Sequence, residues 1–261
     1  IIKENSRELG IPRHFTIFDK SDSLKAVKDI LKELDVDPKQ FEPSKILGII
    51  SREKGCLTSV ENYLEKAGEF RAYSLNKMVA NVWPLYEKKL EQEKSLDFDD
   101  LLLKTYRLLH KNKEILDYYQ NLWQYIHIDE YQDTNKAQYE IVKLLAKKNR
   151  NLCAVGDIDQ NIYGWRGADI QNILNFEKDY PDAKAVILEE NYRSTQTILA
   201  VANGIIEKNT IRRKKNLFTK NQEGDKVTLF EAHNENEEAR FVAEKVKSLI
   251  AEGVAPKEIA I

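Results

Sequence analysis

The sequence predicts an α/β domain with a parallel sheet, preceded by an all-helical region and followed by the beginning of a second α/β unit. Three observations carry this. Residues 125–128 (YIHI) and 151–156 (NLCAVG) are short apolar runs separated by a helical pattern. Such runs read as strands buried on both faces. Each ends abruptly in polar side chains: Asp129-Glu130 after the first, Asp157-Ile158-Asp159-Gln160 after the second. A third run at 185–188 does the same, leading into Glu189-Glu190-Asn191-Tyr192-Arg193-Ser194. Strands alternating with helices imply a parallel sheet, and ligands of such sheets lie beyond the carboxyl ends of the strands.

Residues 1–95 read as helical. Ser21 or Ser23 offers an N-cap, Leu24, Val27, Ile30, Leu31 and Leu34 recur at helical spacing, and Asp37-Pro38 stops the run. Pro43-Ser44 opens a second helix through Ile46, Leu47, Ile49 and Ile50. A longer helical pattern covers 59–93, with a break or kink near Pro84. The lysines here read as a solvated face rather than a DNA track. Asp97, Asp99 and Asp100 cap a helix running to about His110, with Leu101, Leu102, Leu108 and Leu109 as its apolar positions. Three acids in four residues also suit a metal, but no His or further acid completes a ligand set.

Residues 135–148 form an amphipathic helix with Ala137, Ile141, Leu144 and Leu145 on one face. Thr195 opens a helix through Ile198, Leu199, Val201, Ala202, Ile205 and Ile206. The run Arg212-Arg213-Lys214-Lys215 reads as a solvated surface, with DNA contact as the alternative. A strand at 227–231, a helix at 237–252 and the start of a strand at 258–261 follow. The predicted division is 1–95, 96–193 and 194–261.

Charged residues make up 32% of the chain and hydrophobic ones 42%, which describes a soluble globular protein. A net charge of −2 argues against a uniformly basic nucleic-acid coat, while leaving room for a local groove of aromatics and a few cations. No apolar run reaches the length of a membrane span, and the opening residues do not form a signal peptide. Cys56 and Cys153 have no metal or redox spacing and read as reduced, buried thiols of a cytoplasmic protein.

Asp129 and Glu130 are the centre of the functional reading. An acid at a strand's carboxyl end holds Mg²⁺ directly or through water, and its neighbour orients or deprotonates an attacking water. The same pair suits the acidic first turn of a helix. These two residues alone do not choose between the readings.

Taken with its neighbours, the stretch says more. IHIDEYQDTN at 126–135, VGDIDQNIYGWRGA at 155–168 and LEENYRS at 188–194, in that order, resemble superfamily 1 DNA helicases, most closely the PcrA/UvrD/Rep group. The helical first part, the DFDDLL segment and residues 195–261 resemble that group as well. The resemblance implies an incomplete RecA-like P-loop NTPase sheet, an inserted helical subdomain (1–95), the latter half of the first motor domain (96–193) and the start of a second RecA-like domain (194–261). It implies ATP and Mg²⁺ as cofactors, single-stranded DNA and its junctions with duplex as partners, and 3′-to-5′ movement. By the same resemblance Asp129 holds Mg²⁺, Glu130 activates the hydrolytic water, Gln160 senses the γ-phosphate, Arg193 is an arginine finger and Tyr192 stacks on adenine. Tyr163, Trp165 and Arg166 lie along the DNA strand. Gly164 and Gly167 around Trp165-Arg166 suit a turn that presents both side chains outward, and aromatics beside an arginine suit sequence-independent stacking. Plainer readings stand beside these: Trp165 in a core, Arg193 paired with Glu189 or Glu190, Tyr192 in ordinary packing.

The chain also departs from the group. P-loop NTPases hold phosphates with G-x-x-x-x-G-K-[ST], and none of the ten glycines is followed by lysine. The resemblance places that loop, the adenine-recognition segment and the first DNA-binding motifs before Ile1, and the last two motifs after Ile261. The expectation is therefore an internal fragment of a helicase, inactive on its own and weakened by an exposed sheet edge. The alternatives are a non-catalytic DNA- or protein-binding module and part of a helicase–nuclease.

Overall fold

A computed structural model describes residues 1–71, 73–210 and 215–261. The chain divides into two compact units, Ile1–Lys184 and Ala185–Ile261. In order, the first unit carries β1 (Thr16–Phe18), α1 (Lys20–Glu33), α2 (Pro43–Gly55), α3 (Val60–Glu65), α4 (Leu75–Gln92), β2 (Ser95–Asp97), α5 (Phe98–Lys111) and α6 (Lys113–Leu122). It continues with β3 (Ile126–Ile128), α7 (Lys136–Ala146), β4 (Leu152–Ala154), α8 (Gln171–Leu174) and α9 (Phe176–Asp179). The second unit carries α10 (Gln196–Ile206) and α11 (Glu235–Ala251). This is a mixed helix and strand fold with two short parallel sheets, β1–β2 and β3–β4.

The helices of the first region begin and end for local reasons. The carboxylate of Asp19, not Ser21 or Ser23, caps α1, accepting from the amides of Ser21 and Asp22. Ser23 is buried instead, and its hydroxyl donates to that of Tyr86 at 3.0 Å. Helix α1 stops at Glu33, before Asp37-Pro38, where Asp35 takes a left-handed φ of 54°. The 59–93 pattern breaks between α3 and α4, and Pro84 lies inside α4 without ending it. Trp83 and Tyr86 beside it are fully buried, so packing outweighs the hydrogen bond that the proline removes. The main core gathers Val27, Leu31, Ile46, Ile50, Val79 and Trp83 from α1, α2 and α4.

This region is not purely helical. Strands β1 and β2 pair in parallel, with Thr16 opposite Ser95 and Phe18 opposite Asp97. Three-residue strands are too short to show a period-two pattern. Strand β2 runs directly into α5, where Asp97 caps the helix by accepting from the Asp100 amide at 2.7 Å.

The lysines of this region are not all solvated. Lys54, at the end of α2, is 1% exposed, and its ammonium lies 2.7 Å from Glu87, 2.8 Å from Asp97 and 3.0 Å from Asp100. Tyr86 donates to the same Asp97 oxygen at 3.1 Å. Burial alone would lower the lysine pKa, but the Asp100, Asp97 and Glu87 carboxylates outweigh it and hold the ammonium charged. Burial pushes Asp100 up to about 6, against the opposing pull of Lys54.

The strand predictions hold in part. Strands β3 and β4 form and pair in parallel, but Ile126, Ile128, Leu152 and Ala154 are only half-buried, while His127 and Cys153 are exposed. Two strands with one covered face cannot bury both sides, so the expected double burial fails. Cys56 is also exposed, which overturns the buried-thiol reading. Residues 185–188, 227–231 and 258–261 form no strands; they are largely exposed and pair with no second strand among the described residues. One parallel bridge, Glu190 to Phe218, is what forms near the first of these. Of the cationic run, Arg212, Arg213 and Lys214 lie outside the described residues.

Removing the Lys54 ammonium leaves the buried Asp97 and Asp100 and the half-buried Glu87 facing one another. Lys54→Met is expected to destabilise the first unit by about 3–5 kcal/mol, read by urea denaturation. The raised Asp100 binds its proton more tightly folded than unfolded. The stability of wild type relative to Asp100→Asn is therefore expected to fall as pH rises from the ordinary carboxylate range through about 6, and to stay flat above it. Thermal melts of the two proteins across that range check this.

Candidate functional site

The parallel register of β3 and β4 brings two polar loops to one edge. Ile128 stands opposite Ala154, and the ladder continues past both strands: Val155 donates to the Ile128 carbonyl at 2.8 Å and Tyr131 to the Val155 carbonyl at 2.9 Å. Asp129-Glu130 and Asp157–Gln160 thereby leave the sheet side by side.

Glu130 takes a left-handed φ of 47°. For a glutamate this costs roughly 1–3 kcal/mol, a strain typical of functional turns. The turn buries Tyr131, whose ring meets Phe176 edge-on at 5.5 Å. It leaves the Asp129 and Glu130 carboxylates exposed, with one Asp129 oxygen accepting from the Glu130 amide at 2.9 Å. The pair opens a single 3₁₀ turn at Tyr131–Asp133, not an α-helix; Asn135 caps the helix that follows.

One buried side chain joins the two loops. Gln132 is 1% exposed. Its Nε2 donates to Glu130 Oε2 at 2.8 Å, and its Oε1 accepts from the Asp157 amide at 2.9 Å. Asp157 in turn accepts from Gln160 Nε2 at 2.8 Å, so Gln160 stands in the same hydrogen-bonded chain as Glu130. Gly156 makes the close approach possible, because a Cβ there would lie 2.6 Å from Gln132 Oε1 and 3.2 Å from the Tyr131 nitrogen. Reading the sequence for acids and aromatics missed Gln132 and Gly156. The only signal was their position, two residues after Glu130 and at the end of the second apolar run.

The aromatic loop is held at both ends. Asn161 Nδ2 donates to the Gln132 carbonyl at 2.6 Å, and the Thr134 carbonyl accepts from the Asp169 amide at 3.0 Å and Asn172 Nδ2 at 2.8 Å. Between these points Gly164–Arg166 form one 3₁₀ turn, closed by Gly167 at φ 90°. Trp165 is 74% exposed, which excludes the core reading, and Tyr163 is exposed beside it. The Arg166 guanidinium lies 4.6 Å from the Trp165 ring centre and 5.1 Å from that of Tyr163. Two rings and a cation thus face solvent on one turn.

In the second unit, Tyr192 is 79% exposed, and hydrogen bonding to Glu190 holds its phenol above the usual range. Ordinary packing does not describe it. Arg193 is exposed, and among the described residues it makes no ion pair; Glu190 pairs with Lys220 at 2.9 Å. The Asn191 side chain fixes the turn by accepting from the Arg193 and Ser194 amides at 3.0 and 2.7 Å.

Comparison with known proteins gives this geometry a family. Residues 1–181 match the model of the UvrD/REP helicase N-terminal domain, and residues 186–261 match that of the UvrD-like helicase C-terminal domain. This chain belongs to the UvrD/REP helicase family. The whole chain is 48% identical to ATP-dependent DNA helicase PcrA of Staphylococcus epidermidis and, equally, to that of Staphylococcus aureus, spanning 35% of the length of each. No helix among the described residues is long and apolar enough to cross a membrane.

The carboxylates present suit Mg²⁺. Among the described residues no group of three or more His, Cys, Asp or Glu is gathered to cage a metal. Exposed Asp129, with Glu130 next to it, offers the one or two carboxylates that Mg²⁺ takes when water and substrate phosphates supply its other ligands.

Gly156→Ala tests the close approach on which the site is built. The added Cβ must displace Gln132, at an expected cost of about 1–3 kcal/mol, read as a lower urea midpoint with unchanged helix content.

Proposed function

We propose that this chain is part of an ATP-driven motor that moves 3′ to 5′ along single-stranded DNA and opens duplex at its junctions. The observation that carries the reading is the hydrogen-bonded line from Glu130 through Gln132 and Asp157 to Gln160 at the carboxyl ends of a parallel strand pair. In this reading residues 1–95 are a helical insertion, 96–193 the latter half of a RecA-like motor domain and 194–261 the opening of a second. The setting is cytoplasmic.

The chain's own residues divide the work. Asp129 holds Mg²⁺, whose charge would offset that of the phosphates. Glu130, fixed by Gln132, orients the attacking water and takes its proton. Gln160 senses the γ-phosphate, Arg193 supplies a cation to the charge that develops on it, and Tyr192 offers its exposed ring to adenine. Tyr163, Trp165 and Arg166 present stacking faces and a cation to successive bases, a mode of binding that tolerates any sequence. With no Gly-Lys step among its 261 residues, the chain by itself lacks the phosphate-gripping lysine and is a poor ATPase.

ATP hydrolysis with and without oligo-dT tests this on the present chain and on a longer one carrying the phosphate-binding loop and the remaining motifs. Hydrolysis is expected only in the longer chain, stimulated by DNA and reduced about 10²–10⁴-fold by Glu130→Gln. Inactivity of both would turn the assignment to a DNA- or protein-binding module. Trp165→Ala is expected to weaken oligo-dT binding by about 1–3 kcal/mol, read by fluorescence anisotropy of labelled DNA; unchanged affinity would remove the stacking role.

A further inference from the structure

We propose that Gln132 is a positioning residue that ties the water-activating Glu130 to the loop bearing the DNA-stacking side chains, so that strand occupancy reaches the hydrolytic carboxylate through one amide. This rests on the motor reading above. Gln132 is buried, and both polar atoms of its side chain are used in opposite directions: Nε2 toward Glu130, with a longer contact of 3.4 Å to Asp133, and Oε1 toward the Asp157 amide.

An amide group is planar. A shift of the Asp157 amide that drags Oε1 therefore turns Nε2 and re-aims the Glu130 carboxylate. No other side chain of this size does both tasks. A glutamate accepts from Asp157 but sets a second carboxylate against Glu130, and a methionine fills the space with neither bond. The loop beyond Asp157 is anchored to the same turn, by Asn161 on the Gln132 carbonyl and by Asp169 and Asn172 on the Thr134 carbonyl. Tyr163, Trp165 and Arg166 hang between those anchors. Bases stacking on them load the loop, and the loop ends on Gln132.

The test compares wild type, Gln132→Met and Gln132→Glu. In the longer chain, both variants are expected to lose about tenfold or more in kcat, with KM for ATP within about twofold, because a hydrogen bond to a charged group is removed. Both variants are also expected to lose most of the stimulation by oligo-dT, because each breaks the link at Glu130, even though Gln132→Glu keeps the bond from Asp157. Wild-type kcat and stimulation in folded variants would overturn the inference alone. A fall in kcat that only tracks a lowered melting temperature would reduce Gln132 to packing and overturn it too. An inactive wild type would overturn the motor reading and this inference with it. On the 261-residue chain, hydrogen exchange at the Asp157 amide gives a readout independent of hydrolysis. It is expected to quicken in Gln132→Met and stay slow in Gln132→Glu, and unchanged protection in Gln132→Met would break the link.

Discussion

The parallel pairing of β3 with β4, Ile126 to Leu152 and Ile128 to Ala154, is the constraint on which the site depends. Parallel strands send their carboxyl ends in one direction, so whatever follows each strand is delivered to the same edge. Here the deliveries are Asp129-Glu130 and Asp157–Gln160. An antiparallel pair of the same two segments would place these groups at opposite ends of the sheet. The register matters as much as the direction. Because Val155 and Tyr131 continue the ladder past the strands, the second loop passes close enough for Gln132 to reach the Asp157 amide. That distance is set by backbone hydrogen bonds, which are far stiffer than the exposed side chains they position.

The helical region is fastened by a different kind of interaction. Buried Lys54 sits against three carboxylates, supplied by α4, by the end of β2 and by the first turn of α5. Removing an ammonium from water is costly, and several carboxylates at close range are needed to offset it. Such a cluster stabilises only one arrangement of the helices, because any slip leaves a buried charge unmatched. Asp97 does double service, capping α5 with one oxygen and holding Lys54 and Tyr86 with the other. The three-acid run before α5 is thus a cap and an ion-pair platform at once. Its neighbours in sequence show only the first of these roles; the second depends on a lysine more than forty residues earlier in the chain.

That contrast marks what the sequence alone conveys. Helices with strong apolar periodicity and a local start signal, a proline for α2 and a capping side chain for α5 and α7, were legible to within a few residues because both signals are local. Strands β3 and β4 were legible because apolar runs ending in polar clusters are also local. Strands β1 and β2 were not, since three residues carry no usable period. The apolar runs at 185–188, 227–231 and 258–261 look the same as β4 on paper; a strand exists only where a second strand pairs with it, and that is a long-range fact. The exposed site residues were legible because their chemistry is unusual at the end of a strand or in a glycine-flanked turn. Gln132 was not, because a glutamine among acids is unremarkable until the Asp157 amide is seen opposite it.

The aromatic turn shows why those side chains can stay exposed. Trp165 and Tyr163 leave apolar rings in water, which is unfavourable on hydrophobic grounds alone. Arg166 recovers part of that cost by lying within cation–π range of both rings, and the two glycines let one short turn present all three. The arrangement is held by the protein's own hydrogen bonds, since the loop is pinned at the Gln132 and Thr134 carbonyls. A surface ordered in advance loses less freedom when a base stacks on it. On the proposed reading it would also pass the load of that stacking to its anchors, which a flexible loop would absorb. Rigidity at the anchors and exposure at the tip are therefore one device. On the proposed reading, the same two pins that keep Trp165 ready for a base carry the loop's position through Gln132 to Glu130.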